Sequence, residues 1–268
     1  MDEQCLGWKF WWMFTQLFIG CICIFFRWTH RLRAEYAQPL GAWETSNFNF
    51  IIFLWFSGMF VLGLIPRPTF DGKHTEYIVE CIYQGIFLAL LTFFIRRKVF
   101  NYAIKFSNKP ITFGKLIKVS AFSHFYLAPL VFAISAVWTL FLTFINQIGF
   151  SISLERQELL LLLEDNPPSA WAVPIIFTAV AIAPACEELI FRGGIYRFLR
   201  GKTSPIFATL LTGAIFALLH WNWSAFLPLF FLSIFLTHLY EREGSLHVPI
   251  IVHGLLNANS IVLALLPD

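Results

Sequence analysis

Eight stretches of mostly apolar residues follow one another along the chain, each close to the roughly 20 residues that a helix needs to cross a bilayer core about 30 Å thick. They lie near 8–26, 48–65, 77–95, 117–145, 171–200, 204–221, 224–240 and 248–266. None alternates apolar with polar side chains as the strands of a membrane barrel do, so helices are the structure that satisfies each backbone N–H and C=O within lipid. A water-soluble enzyme is excluded on composition: 58% of the 268 residues are hydrophobic and 13% charged, against about 45–50% and 25% in an ordinary soluble domain. The expected fold class is all-α, a polytopic transmembrane helix bundle of about eight spans, with residues 1–268 forming a single integral-membrane domain.

Turn-forming residues separate the spans: Pro66, Pro68, Asp71 and Gly72 in one loop, Asn108 and Pro110 in another, Asp165, Asn166, Pro167 and Pro168 in a third. Threading eight spans places all the Lys and Arg except Lys9, Arg67, Lys73 and Arg156 on one face, which the positive-inside rule makes cytoplasmic, with both termini outside. The net charge of +3 is too small to imply a nucleic-acid partner. Asp2 and Glu3 precede the first apolar stretch where a secretory leader has a basic start, so that stretch is expected to remain as a helix. The five cysteines, Cys5, Cys21, Cys23, Cys81 and Cys186, are odd in number and fall mainly in apolar runs. They are expected to be core thiols and not a disulfide framework.

Ionisable groups inside a membrane span cost several kcal/mol and are functional candidates by default. The last hundred residues concentrate them. Glu187 and Glu188 stand together in a span that also carries Arg192, His220 ends the next apolar run four residues after Phe216, and His253 and Asn257 sit in the last span. Residues i and i+4 share a helix face whereas neighbours diverge by about 100°. Glu188 is therefore expected to pair with Arg192, leaving Glu187 to face a neighbouring helix, while Phe216 packs on the His220 ring and His253 presents with Asn257. At 1.5 Å per residue, Glu187 and His220 lie about 20 and 23 Å from the basic loops, and His253 and Asn257 about 9 and 15 Å. Helix tilt then brings Asn257 near the level of Glu187.

A carboxylate, two imidazoles and a carboxamide gathered in an apolar cavity suit amide hydrolysis. The carboxylate can act as a base on water, and His and Asn can stabilise the oxyanion of the attacked carbonyl. The sequence has no HExxH, GxSG or paired-aspartate GxGD pattern.

Glu187-Glu188 with Arg192, Phe216 with His220, and His253 with Asn257 resemble, in order, the EExxxR, FxxxH and HxxxN motifs of the CAAX prenyl protease and bacteriocin-processing family, CPBP, also called Abi proteins. The motif-bearing helices cover about 170–266. The resemblance implies an intramembrane protease of the glutamate type, in which Glu187 is the general base aided by His220, His253 and Asn257 line the oxyanion side, and Glu188, Arg192 and Phe216 support them. It implies an endopeptidase in the cell membrane, whose partners are membrane lipid and a hydrophobic or prenylated peptide, with no cofactor expected.

Three other readings compete with it. Glu187, His220 and His253 are also a possible zinc set with an open fourth position. A chaperone or immunity protein could hold a hydrophobic peptide in the same cavity without cleaving it. A transporter is disfavoured by the lack of repeated halves. Cys186, beside Glu187, has no imidazole within reach on its own helix to activate it, and His124, Glu80 and Gln84 are expected to be packing contacts between helices.

Overall fold

The computed structural model describes residues 12, 15–16, 73–96, 111–154, 157–165 and 170–266. Apart from residues 12, 15 and 16, the apolar runs 8–26 and 48–65 lie outside the described residues. From residue 73 onward the helices are α1 (Lys73–Arg96), α2 (Phe113–Gln147), α3 (Glu158–Asp165), α4 (Ala172–Arg200), α5 (Pro205–Leu218), α6 (Trp223–Glu243) and α7 (His247–Leu265). The fold is an all-α transmembrane helix bundle. Among the described residues, α2, α4, α6 and α7 are long and apolar enough to cross a membrane, so four of the eight anticipated spans are seen at full length.

Local chemistry explains where these helices begin. Thr112, Ser204 and Asn222 precede α2, α5 and α6, and each side chain accepts a backbone N–H from the first turn, replacing a partner the helix end cannot supply. Pro205 follows Ser204 at the first helical position, where its missing N–H costs nothing. Gly244 ends α6 in the left-handed conformation, φ 64°, which glycine adopts without steric penalty.

Two expectations need correction. The stretch 204–221 forms a helix of only 14 residues, α5, about 21 Å long and short of a full crossing. The reason is the turn after it: Trp221 takes φ 49°, a left-handed backbone that costs roughly 1–2 kcal/mol outside glycine and reverses the chain into α6. The segment 146–170, expected to be loop, contains α3, whose Leu162 and Leu163 are buried.

Helix α4 is not uniform. Pro184 lies mid-span, lacks an N–H and crowds the carbonyl four residues earlier, that of Val180. The helix responds by widening into a π turn over Thr178–Ile182, with the Ala183 N–H reaching back to the Thr178 carbonyl. A second π turn spans Phe191–Tyr196, through Gly193 and Gly194. The displaced Val180 carbonyl approaches α7 at Gly254, where a Cβ would collide with its oxygen. Glycine is thus required at 254 by backbone proximity.

Helix α6 packs on α5, α2 and α7, and α7 packs on α2, α3 and α4. One core gathers Leu189, Ile190, Phe191, Tyr196, Phe216 and Tyr240, and another joins Leu127, Leu236, Val248 and Val252. On the opposite side of α2, Val137, Leu140 and Phe144 are more than half exposed, as suits side chains that contact lipid.

Candidate active site

The long helices bring the predicted residues to one place. Glu187, His220, His253 and Asn257 all line a cavity of about 610 Å³ among α1, α2, α3, α4, α6 and α7. Its floor is built by the partners of these residues.

Glu188 and Arg192 are fully buried and paired as their spacing requires, Nη1 donating to Oε1 at 2.9 Å. Nη2 of Arg192 donates to the carbonyl and the hydroxyl of Ser233 on α6, at 2.9 and 2.8 Å. The same Glu188 Oε1 also accepts from Nδ1 of His253, at 3.0 Å. One carboxylate thus ties α4 to itself and to α7, and through Arg192 to α6. Sequence spacing showed only the first of these links, since the others join residues 65 and 41 positions apart.

A carboxylate paired with arginine accepts and does not donate, so the His253 proton resides on Nδ1 and Nε2 is turned to the cavity. Nε2 lies 3.7 Å from Oε2 of Glu187, beyond a direct hydrogen bond but within range of a shared small molecule. The Glu187 side chain is partly exposed to the cavity, and its Oε2 accepts no hydrogen bond among the described residues. The two adjacent carboxylates differ: Glu188 is fully buried and bonded to Arg192 and His253, whereas Glu187 lines the cavity and is partly exposed.

His220 lies in the turn after α5 and is fixed by the end of that helix. Its Nδ1 lies 2.7 Å from the Phe216 carbonyl, an acceptor only, so Nδ1 carries the proton and Nε2 the lone pair. The Phe216 ring, fully buried, stands 4.7 Å from the His220 ring, 5.9 Å from that of His253 and 4.9 Å from that of Phe191, with the Arg192 guanidinium 5.2 Å from its centroid. Phe216 therefore spaces the two imidazoles and covers the buried cation.

Asn257 is held by the π turn. The Ala179 carbonyl would take its N–H from Pro184, which has none, and Asn257 Nδ2 donates to it instead at 2.9 Å. One amide hydrogen of Asn257 remains for the cavity. The depth expectation is corrected for α7: His253, not Asn257, meets the level of Glu187. The turn into α7 is buried at Ser245 and Leu246, both at 0% exposure, while His247 at the start of the helix is exposed.

Three further features escaped the sequence. Asn259 Oδ1, one turn from the site, accepts from Trp12 Nε1 and Gln16 Nε2 at 2.6 and 2.7 Å. Cys81 and Gln84 of α1, expected to be a core thiol and a packing contact, line the cavity. Among the described residues no group of three or more His, Cys, Asp and Glu side chains is arranged to hold a metal ion.

Fold and site together define a polytopic membrane protein with a polar, partly water-accessible centre built from three consecutive motifs. Residues 169–259 match the family described as "Type II CAAX prenyl endopeptidase Rce1-like", so the resemblance carried by the three motifs holds over this third of the chain. The chain is also 32% identical over 97 residues to the "Putative membrane peptidase YdiL" of Bacillus subtilis (strain 168), a stretch covering 36% of this chain and 40% of that relative. No solved structure matches the chain.

Proposed function

We propose that the protein is an intramembrane endopeptidase of the cell membrane that cleaves a hydrophobic or lipidated peptide with a water activated by Glu187. The observation that carries this reading is the division of labour between neighbouring carboxylates. Glu188 is spent on Arg192 and His253, whereas Glu187 faces the cavity 3.7 Å from an imidazole nitrogen. The family match over 169–259 and the peptidase-named relative support the same class.

In the reaction, Glu187 takes a proton from water as the oxygen bonds to the substrate's amide carbon. The negative charge gathers on the former carbonyl oxygen, where the second amide hydrogen of Asn257 is a donor, joined by Nε2–H of His253 when that ring is protonated. Collapse breaks the C–N bond, and the proton held by Glu187 passes to the leaving nitrogen. His220, with its Nε2 lone pair turned into the cavity, orients the water. No cofactor takes part.

The test is cleavage by the purified protein in lipid vesicles of a farnesylated CAAX peptide and a set of unprenylated apolar peptides, with products identified by mass. Glu187→Gln should bind peptide and release no product. Products formed at the wild-type rate by Glu187→Gln would overturn the proposal. Peptide binding without cleavage by either form would instead establish the non-catalytic chaperone or immunity protein.

A further inference from the structure

We infer that the catalytic cavity is entered from the face opposite the basic loops, so that its substrate is a peptide lying in, or anchored to, the non-cytoplasmic half of the bilayer. The inference rests on the reading of Glu187 as catalytic, but its geometry is independent of that reading. On α4 the cavity lining runs from Ile175 to Glu187 and goes no further, although the helix continues for another 13 residues, about 20 Å. On α6 it runs from Ser224 to Leu232 and spares the half toward Glu243. On α7 it begins at His253 and continues to Ala264, near the helix end. α4 and α6 run one way and α7 the other, and in each the lined half points the same way, toward α3, where Gln157 and Glu164 border the cavity.

The other direction is closed. Glu188, Arg192, Ser233, Phe216 and Val252 are each 0% exposed, and they are joined by the Glu188–Arg192–Ser233 bonds and the stacked Phe216 ring. Below this floor lie Tyr196 and Tyr240, each 1% exposed. Beyond them come the basic residues: Lys115 and Lys118 at the start of α2, Arg197 and Arg200 at the end of α4, Lys202 in the following turn and Arg242 at the end of α6. The positive-inside rule assigns that end to the cytoplasm, so the cavity mouth is on the far side.

Single cysteines at Gln157 on the mouth, Ser135 on the wall and Lys202 in the basic turn test this. Each variant, Gln157→Cys, Ser135→Cys and Lys202→Cys, is expressed in bacterial membranes and exposed to a membrane-impermeant maleimide in sealed right-side-out and inside-out vesicles. Labelling is read at the added residue by fragment mass spectra, so the native cysteines stay in place. The expected result is that Gln157→Cys and Ser135→Cys are labelled only in right-side-out vesicles, and Lys202→Cys only in inside-out ones. Labelling of Gln157→Cys only in inside-out vesicles, or from neither side, overturns the inference. Labelling needs no activity: sided labelling of a protein that cleaves nothing would break only the protease reading, and an active enzyme labelled at its mouth from the basic side would break only this one.

Discussion

Replacing Glu188 by Gln and Glu187 by Gln, one residue apart, should have opposite consequences. Glu188 and Arg192 both have fully buried side chains and are bonded at 2.9 Å. Glu188→Gln leaves the guanidinium with only the neutral acceptors of Ser233 and one amide oxygen, which His253 also requires. Removing one member of a buried pair costs about 3–5 kcal/mol, mostly because a charge is left uncompensated. At about 2–4 °C per kcal/mol, the melting temperature should fall by roughly 6–20 °C. Glu187 has 23% of its side chain exposed and makes no short ion pair, so Glu187→Gln should melt within about 2 °C of wild type, as surface changes of about 0.5 kcal/mol do. Melting is followed in detergent by the reaction of a thiol dye with Cys186, fully buried when folded, with the other four cysteines replaced by Ser in every variant. The double variant Glu188→Gln/Arg192→Met, which removes both charges, should melt above Glu188→Gln alone. Equal melting of the Glu187 and Glu188 variants, or a double variant below the single one, would refute this account.

Phe216→Ala should lose about 3–5 kcal/mol in the same melting assay and lower kcat more than it raises KM, because both imidazoles lose their spacer; Phe216→Leu should retain more of each. Asn257→Ala removes the donor to the Ala179 carbonyl, at a cost of about 1–3 kcal/mol, and should reduce kcat by about 10²–10³ as a lost oxyanion donor does, with Asn257→Asp failing to restore it. Gly254→Ala should destabilise strongly by driving the Val180 carbonyl away. Gly85→Ala in α1, where a Cβ meets nothing within 4 Å, should be neutral or stabilise by about 0.5–1 kcal/mol. Peptide cleavage assayed in a strong chelator should proceed unchanged, and loss restored only by zinc would replace the metal-free mechanism.

Spans 117–145, 171–200, 224–240 and 248–266 were legible because lipid imposes a length and an apolar face on any crossing helix, and α2, α4, α6 and α7 end within a few residues of those limits. Pairing along a single helix was equally legible: spacing of four joined Glu188 to Arg192 and Phe216 to His220. The contacts between helices were not. That Glu188 also holds His253, and that Ser233 completes Arg192, depends on how α4, α6 and α7 pack, which no local spacing encodes. That His253, not Asn257, meets the level of Glu187 likewise depends on how α7 lies against α4, which counting residues along one helix does not give. Pro184 and Gly254 did carry a readable signal: a proline in mid-span displaces a carbonyl, and a glycine on the opposing helix gives it room.

The closed layer beneath Glu187 also decides where the membrane voltage falls. A water-accessible cavity takes the electrical potential of the compartment it opens to, so the field concentrates across the dry layer of Glu188, Arg192, Ser233 and Phe216. There it acts with about 2.3 kcal/mol on each elementary charge per 100 mV. Because Glu188 and Arg192 cancel, that layer feels almost no net force, and with the cavity open to one side, as inferred above, the two aqueous phases remain insulated from each other.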